Sequence, residues 1–376
     1  MITIRPGSHI HRLLQLLSVA GEISSDTLPL LGNERVIKAL VHKLESVQDF
    51  RTGIGAVVYR TKLIQVSGKK DLRTIRLYKG ALPILNSLHP ASFEYYMKAF
   101  WNHKFPGDHQ HIWRNHRVAE ALALCMAAGV ETRPYILPDL QKNEIMINVP
   151  GSPCFYIARD LKRIGGDDTN KTAFTRIAGV LFCQGFTCAV YNTRGSVMKW
   201  SGLGEVKALG NLLELVRMNA GLDLVNTALL FGKSADIALK TIIESDKNRK
   251  PDLRFDRIYK RIHFIPLDQN GIRLLKMLIL PNWNERLLNA LFEPCQRSYN
   301  RGAFEYDAIV DGRIVLSHLD GDIARLIRFR ESQDYRAEPA DVLCFPWQTG
   351  FLKLYLNGLA GLRELDIGSV EAALCE

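Results

Sequence analysis

At 376 residues the chain is long enough for two or three domains, each with its own core. Hydrophobic residues make up 47% and charged residues 23%, with no apolar run near the roughly 18 residues of a membrane span, so an ordinary soluble protein is expected and a membrane partner is not. Net charge is +10 with pI near 9.2, a balance that favours polyanionic partners.

The opening residues, Met1 to Gly7, lack the apolar core of a secretory signal. Seven cysteines are scattered without a Cys-x-x-Cys pair and read as reduced core thiols, which places the protein in a cytoplasm.

The stretch from about His9 to Leu85 carries the most information. His9 to Ala20 holds Leu13, Leu14, Leu16 and Leu17, and Ser25 to Leu31 is a second apolar segment. Asn33 to Glu45 then repeats Ile37, Leu40, Val41 and Leu44 at i, i+3, i+4, i+7, a narrow stripe for packing on a core. Its opposite face carries Arg35, Lys38 and His42, with Lys43 at the edge. Lys62 to Val66 and Leu72 to Tyr78 alternate like paired strands around Ser67-Gly68-Lys69-Lys70-Asp71, a turn tipped by two lysines.

Helix, helix, helix, strand, basic turn, strand is the order of a winged helix. From Met1 to Pro90 there are thirteen Lys or Arg against six Asp or Glu, so most of the net charge sits on this segment. Such a footprint is expected where phosphate neutralisation supplies affinity for duplex DNA. Arg35, Lys38 and His42 are the candidates for base or phosphate contact. Lys43, Lys69, Lys70, Arg73 and Arg76 are the candidates for phosphate contacts that fix register. Basic surface is common, and some winged helices bind only protein.

Leu88-His89-Pro90 closes the segment. Beyond an aromatic run from Phe93 to Trp101, His103, His109, His111 and His116 fall within fourteen residues. They are numerous enough for a metal site but lack the cysteine or distant second pair of a structural zinc centre. The alternative is that some cap the helix expected from Arg117 to Ala128 and others are solvated. No metal ligand and no cofactor is assigned.

Further along, Ile177–Cys183 and Phe186–Asn192 flank Gln184-Gly185 as a hairpin. The polar loop Gly165 to Lys171 lacks the Gly-Lys-Ser/Thr of a phosphate loop. Helices are expected over Gly204–Asn219 and Lys233–Ser245, and Glu244 to Asp252 is a boundary or an exposed loop. Tyr259–Pro266 reads as a strand, and Gly271–Leu280 and Trp283–Phe292 as helices. Domains are therefore expected over 1–90, 91–250 and 251–376.

The third informative stretch, Phe304 to Asp322, has Asp311-Gly312 between β-branched runs, a hairpin signal, and Asp322 as the cap of a short basic helix, Ile323 to Arg330. A Cys344-Phe345-Pro346-Trp347 strand or turn and a helix from about Thr349 to Leu356 close the chain. Asp307 or Asp311, with Asp320 and Asp322, could supply the carboxylates of a metal-dependent nuclease. The lysine of that chemistry is missing, since Arg325 stands nearby and cannot act as a base at neutral pH. No catalytic residue is assigned.

The segments Phe155 to Lys162, Arg176 to Phe182, Val190 to Trp200 and Cys344 to Gln348 resemble proteins of plasmids and integrative conjugative elements of Gram-positive bacteria, near the replication-relaxation group. The resemblance spans most of the chain, on motifs that are structural and not catalytic. It implies an N-terminal winged helix followed by a nuclease-like α/β domain without a full catalytic set, and a role in replication or transfer of a mobile element. The expected fold class is thus α/β (α+β), a winged helix with one or two mixed α/β domains behind it. The expected function is that of a duplex-DNA-binding accessory protein, with a metal-dependent nuclease or a protein-assembly factor as alternatives. A relaxase or replication initiator, or a second copy of the chain, would be its protein partner.

Overall fold

A computed structural model of the chain describes residues 1–53, 57–69, 73–100, 109–132, 153–161, 177–183, 186–197, 202–218, 226–247, 251–298, 304–335 and 338–375. They form an α/β protein in two compact units, one of residues 1–138 with 155–160 and the other of 139–154 with 161–376.

The first unit is built around a helix that is apolar on nearly every side. Strand β1 (Ile2–Ile4) leads to α1 (His9–Ala20), which buries Ile10, Leu13, Leu14, Leu16, Leu17 and Val19. The Ser8 hydroxyl caps its start, and Gly21, at φ 83°, ends it where the Phe100 ring leaves no room for a Cβ. There follow β2 (Glu22–Ser24), a 3₁₀ segment Ser25–Leu31 holding Pro29, and α2 (Glu34–Glu45). Next come β3 (Gln48–Thr52), β4 (Val58–Thr61), β5 (Ile64–Ser67) and β6 (Thr74–Leu77), then α3 (Leu82–Leu88), α4 (Pro90–Ala99) and α5 (His109–Ala127).

The β5–β6 hairpin is where alternation predicts it, and β6 also pairs antiparallel with β2, so that Ser24 lies opposite Thr74 and Ile23 opposite Ile75. A second hairpin, β3–β4, lies between α2 and β5 and pairs in parallel with β1. Helices α4 and α5 pack on α1, so the unit continues past Pro90.

Helix α5 starts eight residues earlier than the periodicity suggests, because after Pro106-Gly107 nothing in the sequence breaks a helix until Gly129. His109, His111 and His116 are therefore helical and do not precede the helix. Residues Phe155–Asp160, from strand β7 (Cys154–Ile157) and helix α6 (Ala158–Leu161), return to this unit. There Tyr95 donates a 2.6 Å hydrogen bond to Asp160, and Arg159 donates to Tyr95 and to the Val19 carbonyl.

In the second unit, β8 (Gly179–Cys183) and β9 (Phe186–Arg194) form the expected antiparallel pair; the turn at 184–185 lies outside the described residues. Helix α7 (Leu203–Met218) leads to β10 (Thr227–Gly232), parallel to β9. Helices α8 (Asp236–Asp246) and α9 (Phe255–Ile258) lead to β11 (Arg261–Pro266), parallel to β10. Helices α10 (Gln269–Leu278) and α11 (Trp283–Leu291) follow.

A second sheet begins with β12 (Ala308–Val310) and β13 (Arg313–Ser317), joined through Asp311 and Gly312, both at positive φ as a two-residue hairpin turn requires. Helix α12 (Ile323–Gln333), strand β14 (Ala340–Cys344), helix α13 (Pro346–Leu356), strand β15 (Gly361–Glu364) and helix α14 (Ile367–Cys375) complete it, with β13, β14 and β15 parallel. Helix α13 starts at Pro346 and not at Thr349, because proline fits the first helical position and Gln348 accepts from the Phe345 N–H.

The segment between β13 and α12 joins the two sheets. Gly321 O accepts from Phe264 N at 2.8 Å, and Asp322 bridges to His263, while α12 packs on β11. Among the described residues no helix is long and apolar enough to cross a membrane.

Gly321 stands at φ 69°, and a Cβ there would lie 2.7 Å from the Phe264 carbonyl oxygen. Gly321→Ala is therefore expected to cost about 2 kcal/mol from strain and the contact together. Gly312, at φ 72° with open space around it, should cost about 1 kcal/mol or less on the same change. Thermal unfolding of the two variants should rank them in that order; equal midpoints would show that the junction yields freely.

Candidate functional site

Two regions gather polar chemistry, one in each unit. In the first unit the Asn33 side chain caps α2 by accepting from the N–H groups of Arg35 and Val36. The helix then buries Ile37, Val41 and Leu44 against β5 and the 3₁₀ segment. That registration turns Arg35, Lys38, His42 and Lys43 outward, all of them exposed, with Val36 at 53% exposure among them. Lys38 pairs with Glu34 at 2.5 Å one turn away, a solvated i,i+4 contact of small energetic weight.

On the β5–β6 hairpin Lys69 and Arg73 are exposed, and Lys70 lies outside the described residues. Arg76 differs from its neighbours. It faces Glu22 across the β2–β6 pair and donates to it from Nε (2.9 Å) and Nη2 (2.5 Å), and Asn115 of α5 donates to the other Glu22 oxygen. Its guanidinium thus serves the buried Glu22 carboxylate, which is 1% exposed. Arg60, exposed on β4 opposite Asp49, is a further cation of this unit. The alternation of Val58-Tyr59-Arg60-Thr61 after Gly53 and Gly55 was the available signal.

The histidines of the α5 region do not form a group among the described residues. His103 lies outside them, His111 is exposed, and His116 is buried with Nε2 3.1 Å from the Thr74 hydroxyl.

In the second unit the carboxylates meet at the junction of the sheets. Asp322 caps α12 as the Asp-Ile-Ala-Arg pattern suggests: Oδ1 accepts from the Ala324 and Arg325 N–H groups and also from Ile262 N of β11, each near 3 Å. Asp320 Oδ1 accepts from Asp322 N at 3.1 Å. Asp307 accepts from Ser317 N and from Arg325 Nη2 at 2.9 Å, while Arg325 Nε and Arg328 Nε both donate to Glu305. Asp311 lies exposed in the hairpin turn. The structure thus joins Asp307, Asp320 and Asp322, leaves Asp311 outside, and adds His263 of β11. The signal for His263 was a lone imidazole in the apolar run Ile262-His263-Phe264-Ile265.

Burial and charge act in opposite directions at this node. Burial opposes the charge on Arg325, but Asp307, Asp320, Glu305 and Asp322 outweigh it and raise the guanidinium's pKa. Burial likewise works against ionised Glu305, yet Arg325 and Arg328 hold its carboxyl below the usual range. His318, on the same crossing segment, is pushed down to about 4 by burial against the pull of Asp320 and Asp322, so it is neutral. The basic side chain at the centre of this node, Arg325, cannot give up its proton at neutral pH.

Compared with family models, curated proteins and solved structures, the chain matches none.

Removing Arg325 would leave Asp307 buried without its cation and Glu305 with one donor fewer. Arg325→Met is expected to cost about 3–5 kcal/mol. Urea unfolding should show a large fall in midpoint for this variant and a smaller one for Arg328→Met, whose guanidinium is more exposed. Equal, small effects would mean that the pair to Asp307 contributes little.

Proposed function

We propose that the chain is a duplex-DNA-binding accessory protein whose first unit is a winged helix, with α2 as the groove-reading helix and the β5–β6 hairpin as the wing. The observation that carries this reading is that the buried stripe of α2 leaves Arg35, Lys38, His42 and Lys43 together on its free face. The order α1, β2, 3₁₀ segment, α2, β5, β6, interrupted after α2 by the β3–β4 hairpin and with β6 between β2 and β5, supports it, as do the lysines of Ser67-Gly68-Lys69-Lys70-Asp71. Arg35 and Lys38, in the first turns of the helix, would reach base edges or phosphates; Val36 between them would offer an apolar contact to a thymine methyl. Lys43, Lys69, Lys70 and Arg73 would hold the phosphate backbone and set register. Arg76 is removed from that set, since its partner is Glu22. In this reading, and in keeping with the resemblance to replication-relaxation proteins, the second unit supplies docking to a relaxase, a replication initiator or a second copy, and the work is that of replication or transfer of a mobile element.

Binding of the full chain to a labelled random duplex, followed by fluorescence anisotropy, should weaken by roughly two to three orders of magnitude between about 50 and 200 mM salt. Lys69→Ala/Lys70→Ala should lower the slope of log affinity against log salt by about 1 to 2, uniformly across sequences. Arg35→Ala should weaken binding with folding unchanged, whereas Arg76→Ala should lower the thermal midpoint. Absence of binding at low salt would overturn the reading in favour of an assembly protein, and shortened DNA on a gel would overturn the non-catalytic part of it.

A further inference from the structure

Asp320 and Asp322 are 3% and 0% exposed, yet neither makes a direct ion pair with Arg325 or Arg328. Those guanidiniums give their donors to Asp307, Glu305 and the Lys260 carbonyl. His263 is the nearest basic side chain to Asp320, with Nδ1 3.8 Å from Oδ2 and 2.9 Å from the Asp320 carbonyl oxygen. One ligand-capable atom from each of His263, Asp320 and Asp322 lies within 4.8 Å of the others. Two further polar atoms at this junction are buried without a hydrogen-bond partner: Asp322 Oδ2 and His318 Nε2.

From these observations we infer that His263, Asp320 and Asp322 form a binding site for a first-row divalent cation, with manganese(II), iron(II) or zinc(II) as the class. Arg325 and Arg328 direct their side-chain donors to Asp307, Glu305 and the Lys260 carbonyl, so the oxygens of Asp320 and Asp322 beside His263 are not held by a guanidinium. An imidazole nitrogen with two carboxylate oxygens suits the metals named better than magnesium or calcium, which prefer oxygen alone. Ligand atoms around such an ion stand about 3 to 4 Å apart at bond lengths near 2.1 Å, so loading needs only a small contraction of the cluster.

The site is also held in place before any ion arrives. Asp322 is fixed by three backbone N–H groups on one oxygen, which leaves the other for a ligand bond. His263 packs edge-on against Trp283 and lines a cavity of about 420 Å³ with Lys260, Arg261, Asn226 and Asn282 at its walls. The ion would tie β11 to the crossing segment.

The assignment stands apart from DNA binding and is tested on the full chain without DNA. Manganese(II) titrated into the protein should lose its free electron-paramagnetic signal and saturate near one equivalent. Spin-echo modulation of the bound ion should show coupling to one imidazole nitrogen. His263→Gln should abolish that coupling and weaken binding by at least about tenfold with the circular dichroism unchanged. Asp320→Asn, which keeps the oxygen that accepts from Asp322 N, should weaken it likewise. The thermal midpoint of the parent chain should rise with metal concentration. No saturable binding up to about 1 mM, bound manganese without nitrogen coupling, or coupling that survives in His263→Gln would overturn the assignment. Should either variant fail to fold, the nitrogen coupling in the parent chain decides.

Discussion

The second unit depends on one carboxylate. Asp322 Oδ1 accepts from the N–H of Ile262 in one sheet and from the N–H groups of Ala324 and Arg325 at the start of α12. A helix leaves its first N–H groups unsatisfied, and a strand edge does the same; here a single acceptor serves both. The same residue bridges to His263, and its neighbour Gly321 supplies the carbonyl that Phe264 N needs. The approach is close enough that no side chain fits at Gly321. Helix α12, once capped, lies on β11 and brings Arg325 to Asp307 and Glu305, so the ion-pair network follows from the cap.

The first unit meets an analogous problem with a different device. Glu22 is buried between β2, β6 and α5, and it is made tolerable by two donors from Arg76 and one from Asn115. An ion pair so placed adds little net stability against an apolar alternative, but breaking it would strand a buried charge. Its consequence for the surface is direct. Of the two arginines near β6, Arg76 is drawn inward to Glu22 and Arg73 stays exposed. On α2 the apolar stripe turns Arg35, Lys38, His42 and Lys43 outward.

What could be read from the sequence follows physical reach. Local signals were sufficient for α2, whose stripe and Asn33 cap both act within one or two turns, and for the Asp311-Gly312 turn, whose two positive φ values are a property of those residues. The Asp322 cap was legible for the same reason. Long-range pairings were not: β2 is three residues long and exists because β6 pairs with it, and Arg76 reads as a surface cation until Glu22, fifty-four residues earlier, is found opposite. His263 and Asp320 are likewise fifty-seven residues apart and meet only because α12 folds back onto β11. Asp307 shows the converse, since its spacing from Asp320 and Asp322 left a shared metal role open while Arg325 and Ser317 donate to its two oxygens.

Arg325 explains why the carboxylates divide as they do. A lysine at this place would present one flexible ammonium, able to lose its proton in a desolvated setting. The guanidinium is a rigid fork that stays charged, and its separate nitrogens reach Glu305 and Asp307 together. Both are thereby held by Arg325, whereas Asp320 and Asp322, the pair beside His263, make no direct ion pair with it. By engaging Glu305 and Asp307, Arg325 leaves a compact site with one imidazole and two carboxylates. Buried charge is retained only where a counter-charge can be supplied, and the geometry around His263 has the donor types for a metal to supply it.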